Sequence, residues 1–126
     1  MSLALDDFKT WLSAGIAAAA PVDVNWLPDA PDEVVAVAKL PSSGSTLFDG
    51  AFEVAHVQVR SRAATDAAAE TLALEVHAFI SGQEGSAAMG SSYVLSIAPV
   101  GPPAFFVRDA SARTVYVATY QVTAAV

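Results

Sequence analysis

From Phe52 to Arg62 the chain alternates along Phe-Glu-Val-Ala-His-Val-Gln-Val-Arg-Ser-Arg, then runs through Ala63-Ala64-Thr65-Asp66 into an alanine-rich segment. A period of two residues gives way to one of 3.6 with almost no loop between them. The run is therefore a strand that turns directly into a helix. Phe52, Val54, His56, Gln58 and Arg60 share one face, and Ala55, Val57 and Val59 the other. Both faces are partly apolar, so one can meet the core and the other a helix or a partner chain. A second alternating run, Thr114 to Thr123, puts Tyr116, Ala118, Tyr120 and Val122 on one face. Val115, Val117, Thr119 and Gln121 lie on the other.

The rest of the chain is read around these two runs. Leu5, Phe8, Leu12 and Ile16 recur at helical spacing and predict a helix from Ser2 to about Ala18, capped by Ser2 and stopped by Pro21. Asp6 and Asp7 suit its positive N-terminal end. Asn25 to Asp32 reads as a Pro/Asp connector, with Trp26 as its anchor on the core. Glu33 to Leu40 suits a strand, and Pro41 to Thr46 a loop. Thr65 caps a second helix, Asp66 to about Ile80, whose stripe is Ala69, Leu72, Ala73, Val76, Phe79 and Ile80. Ser81 to Ser92 reads as a Gly/Ser loop. Tyr93 to Ala98 and Ala104 to Arg108 read as strands around the turn Pro99–Pro103, and Asp109 to Ala112 as a hairpin turn. The order α-β-β-α-β-β-β predicts one α+β domain over residues 1–126, with two helices packed on one face of a mostly antiparallel sheet. Val117 and Leu72 are its expected core markers.

Composition narrows the function classes. At 126 residues the chain should bury roughly two-thirds of its unfolded surface, enough for one core. A net charge of -7 speaks against a phosphate-binding surface, because six basic residues are spread along the chain without forming a patch. It suits solubility, or a surface that nucleic acid slides past. The absence of cysteine removes disulfides and thiolate chemistry. The apolar stretch from Ala14 to Val22 is too short to span a bilayer, and no membrane role is expected.

No constellation of catalytic residues stands out. His56 and His77 lack a close-spaced ligand motif, and Asp29, Asp32 and Glu33 match no calcium loop. Gly85 to Ser92 echoes a phosphate loop but lacks its lysine and its preceding strand. No Gly-x-Ser-x-Gly elbow is present. No catalytic, cofactor or metal residues are assigned. Arg60 and Arg62 share a face at the end of a strand, and Arg108 and Arg113 flank the last hairpin. Two readings apply to these four. They are exposed charges paired with Asp66 or Glu70, or they form a subunit or partner interface.

The Phe52–Arg62 strand, the following Asp66-Ala-Ala-Ala-Glu70 helix and the Thr114–Thr123 strand after a Pro-Pro turn resemble the tail terminator and minor capsid (head–tail joining) proteins of long-tailed phages. The resemblance implies a non-enzymatic virion protein with no cofactor. It would be assembled in the bacterial cytoplasm and sit at the tail or head–tail junction. Its expected partners are copies of itself in a ring, a hexamer in this family, the tail tube protein and a head-completion protein. The loops Pro41–Gly50 and Ser81–Ser92 would contact neighbours. Two other classes remain open: a ligand-binding or enzymatic α+β domain with a pocket near His56, Tyr116 and Tyr120, and an acidic partner-binding module of the immunity type.

Overall fold

Two twelve-residue strands, β4 (Phe52–Ala63) and β8 (Thr114–Ala125), pair antiparallel over their whole length, from Phe52 opposite Ala125 to Ala63 opposite Thr114. They are the centre of an eight-stranded sheet in a computed structural model that describes residues 3–17, 20–40, 45–47, 51–83 and 87–125. The outer edge of β4 is shared by β2 (Val34–Lys39) and β3 (Ser45–Leu47), and β1 (Val22–Val24) lies parallel beyond β2. The outer edge of β8 is shared by β6 (Ser92–Pro99) and β7 (Ala104–Arg108), and β5 (Ala87–Met89) lies beyond β6. Every pairing but β1–β2 is antiparallel. The expected α+β class holds, with α1 (Leu5–Gly15) and α2 (Asp66–Ser81) against the sheet.

Strand alternation decides which face the helices cover. Ala55, Val57 and Val59 of β4 stand opposite Val122, Tyr120 and Ala118 of β8, and all six are buried. Leu72, Val76 and Ile80 descend onto them from α2, and Phe8 and Leu12 from α1. Burying each such side chain contributes about 1.5–3 kcal/mol. His56, Gln58, Thr119 and Gln121 occupy the opposite face and remain at least partly exposed.

The ends of α2 follow from local chemistry. The Thr65 hydroxyl accepts the Ala68 N–H at 3.2 Å, as expected of its cap, a bond worth about 1 kcal/mol. Helix α1 is shorter than its periodicity suggests. It starts after Ala4 with no side-chain cap, while Ser2 lies outside the described residues, and Ile16 is already extended. Trp11 bridges the helices, 5.4 Å from the Phe8 ring and 4.7 Å from that of Phe79. The Phe79 ring tip occupies the space a Cβ would need at Gly15, 1.9 Å away. Asp7 then ties α1 to the β5–β6 turn. Its carboxylate accepts from the hydroxyls of Ser92 at 2.7 Å and Ser91 at 3.1 Å, and these bonds hold it below the usual carboxylate range. Gly90 makes that turn in the left-handed region, φ 57°.

Three sequence expectations change. Trp26 does not anchor the connector, since it is 79% exposed. Val117 is half-buried on the face away from the helices, so it is not a core residue like Leu72. The segments read as loops contain the short strands β3 and β5, and β1 forms at Val22–Val24, where no strand was expected. Of the Gly/Ser loop, Glu84, Gly85 and Ser86 lie outside the described residues, as do Pro41–Gly44 of the earlier loop. Leu72→Asp is expected to unfold the protein, because it strands a charge in the core. Val117→Asp is expected to retain a cooperative thermal transition, which circular dichroism would follow.

Candidate functional site

Arg60 and Arg62 leave the same face of β4 two residues apart, yet their surroundings differ. Arg62 is 2% exposed. Its Nη2 donates to the carbonyls of Pro28 at 2.5 Å and Pro31 at 2.7 Å, and its Nε to that of Asp32 at 3.1 Å. The connector after β1 thus folds over the helix-free face and is held there by one guanidinium. A planar fork of five donors suits this task, since it satisfies several carbonyls at once.

Arg113 completes the arrangement. Its Nε donates to Asp109 at 2.8 Å, and its Nη groups reach Asp32 and Asp29 at 3.3 Å each and the Asp29 carbonyl. Asp109 also accepts the backbone N–H groups of Ser111 at 2.9 Å and Arg113 at 3.0 Å, closing the β7–β8 turn. Burial lowers the Arg62 pKa, and the neighbouring Arg113 lowers it further, with Asp109, Asp29 and Asp32 opposing. Burial also pulls the Arg113 pKa down, but Asp109 overcomes it and the net shift is upward. For Asp109, burial alone would raise the pKa. The N–H and guanidinium donors of Arg113 outweigh this and hold it low. Two cations meet three carboxylates here, so the cluster is nearly neutralised within the chain.

Arg108 is exposed and Arg60 is half-buried. Arg108 donates to Asp66 at 2.7 Å and stands 5.5 Å over the Phe105 ring. The Thr114 hydroxyl also donates to Asp66, and this bond is the largest cause of that carboxyl's lowered pKa. One turn along α2, Glu70 accepts from the Tyr116 hydroxyl at 3.1 Å. Arg60 donates to Gln58 at 2.9 Å and lies 5.3 Å over the Phe106 ring. Of the four arginines, Arg108 makes the expected bond to Asp66. Arg60 and Arg62 cannot, because they point away from α2.

The expected pocket does not assemble. His56 stands opposite Gln121 on the helix-free face, and Tyr120 lies on the helix side, fully buried. The Tyr120 hydroxyl shares a 2.7 Å hydrogen bond with His77 Nδ1, and burial raises its pKa. Between α2 and the sheet, the space beside Tyr116 and Tyr120 is closed to a water molecule. An open groove of about 430 Å³ runs along α2 past Glu33, Thr65, Thr71, Leu72 and Glu75. Among the described residues, no three His, Asp or Glu side chains gather as metal ligands, and no helix is long and apolar enough to cross a membrane.

The described residues define an α+β sheet module whose buried ionic groups serve its own folding. A family model described as bacteriophage tail terminator protein matches residues 13–126, and the chain belongs to that family. No curated protein matches it.

Arg62→Ala strands three carbonyls and is expected to cost about 3–5 kcal/mol in denaturant unfolding, whereas Arg60→Ala should cost under about 1 kcal/mol. The lowered carboxyls of Asp66, Asp109 and Asp7 bind protons less readily in the fold than in the unfolded chain. Their stabilisation is therefore present above the unfolded value of about 3.9 and lost as pH falls through the lower folded values. Thermal midpoints measured from pH 7 to pH 2 should drop below about pH 4.

Proposed function

We propose that this protein is a non-enzymatic virion component that caps the tail tube as a ring, a hexamer, and joins it to the head. The observation that carries the reading is the tail terminator match across residues 13–126. Its partners are further copies of itself, the tail tube protein and a head-completion protein, and its place is the head–tail junction, reached by assembly in the host cytoplasm. A net charge of -7 suits a ring through which DNA passes without adhering. The helix-free face, with His56, Gln58, Thr119 and Gln121 in rows, offers polar contacts.

The interface expected at Arg60, Arg62, Arg108 and Arg113 divides accordingly. Arg62 and Arg113 support it from within by holding the connector, and Arg60 and Arg108 are the members a partner can reach. Purified protein added to polymerising tail tube protein should shorten the tubes in electron micrographs and appear at one end. An unchanged length distribution at saturating protein would overturn the proposal.

A further inference from the structure

The two sheet edges at opposite ends of one row differ in character. The pairing runs Asp23–Ala36–Arg60–Val117–Ala104 across β1, β2, β4, β8 and β7. Five strands at about 4.8 Å spacing put these edges roughly 19 Å apart. Among the described residues, neither outer edge pairs with another strand.

β7 is the apolar edge. All five of its residues are exposed, including Phe105 at 51%, Phe106 at 50% and Val107 at 43%. A register shift between Phe105 and Val107 marks a bulge there, which turns Phe106 to the helix-free side under Arg60. Free strands of this kind recruit another strand unless something covers them. Arg60 is also the cation at this edge without a carboxylate partner among the described residues.

β1 is the acidic edge. Asp23 shares the helix-free face with Arg60 in the same row and has no cationic partner among the described residues. Trp26, 79% exposed, lies two residues beyond the end of β1. One edge thus offers aromatic rings beneath a cation, and the other a carboxylate followed by an exposed indole.

We infer that β7 of one copy docks on the β1 edge of a second copy, with Phe106 and Arg60 meeting Trp26 and Asp23. The occupant is this same chain because Asp23, complementary in charge to Arg60, lies on its own opposite edge in the same row and on the same face, with the exposed Trp26 three residues on. Such a contact is head-to-tail, so it propagates and closes into a ring when the rotation permits. The inference rests on the ring reading above and assigns its subunit interface.

The chain has no cysteine, so introduced thiols are the only ones. Phe106→Cys, Trp26→Cys and the double variant, each shown to be folded by circular dichroism, are assembled alone and on tail tubes. They are then treated with a short bis-maleimide. The double variant should give a ladder from dimer upward on denaturing gels, and the single variants should give none but a mixture of the two should give dimer. Dimer from Phe106→Cys alone would show a β7–β7 contact and overturn the inference. So would wild-type-like assembly without any ladder, while leaving the ring intact as a reading. Failure of the unmodified chain to self-associate, alone or on tubes, would overturn both. As a second arm, Arg60→Glu should weaken association about tenfold, and adding Asp23→Lys in the same chain should recover it. Unchanged association of Arg60→Glu would count against the assigned contact.

Discussion

The uninterrupted pairing of β4 with β8 is the constraint on which the remaining structure depends. Twelve residue pairs hold one register, and each long strand then lends its outer edge to two shorter ones. A slip of one residue would drive His56, Gln58 and Arg60 beneath the helices and turn Val57 and Val59 to water. The burial of Tyr120 reinforces the register, because its ring is enclosed only where Val57 stands opposite and its hydroxyl is met by His77. The helices are secondary to this pairing. α2 follows β4 after two residues and lies back on it, and α1 closes the sheet through Phe8 and Leu12.

Long periodic segments were legible in the chain because their burial repeats at short range. The faces of β4 and β8, the stripe of α2 and the Thr65 cap all follow from neighbours in sequence. The three-residue strands were not legible. Val-Asp-Val at β1 or Ala-Ala-Met at β5 carries too little periodicity, and each becomes a strand only because a longer one lies beside it. Arg60 and Arg62 show the same limit at the candidate site. Both look like strand-end charges, and only the fold-back of residues 28–32 separates one from the other. A Pro/Asp connector two strands away carried no local sign of that destination. Trp26 misled in the opposite direction, since a large aromatic ring in an acidic connector is read as an anchor, and here it faces water.

The division of labour among charges bears on how a tail terminator family member of this size works. The chain has six basic residues, and Arg62 and Arg113 are buried holding its own connector in place. Conformational order of the β1 edge is thus supported from inside, by hydrogen bonds to backbone carbonyls that a partner does not need to supply. The exposed aromatic groups of the described residues are Phe105 and Phe106 on β7, Tyr93 on β6 and Trp26 two residues beyond β1. The family match begins at residue 13, yet Phe8 and Leu12 belong to the same core as the matched segment.

The placement of the two tryptophans separates two events optically. Trp11 is wedged between Phe8 and Phe79 within the helix layer, and Trp26 stands in solvent at the sheet margin. Their emission therefore differs in colour and in access to a dissolved quencher. The indole in the helix layer tracks chain collapse, and the one at the margin tracks whatever comes to lie beside it, so a single unlabelled molecule carries separate reporters of its own formation and of its encounters.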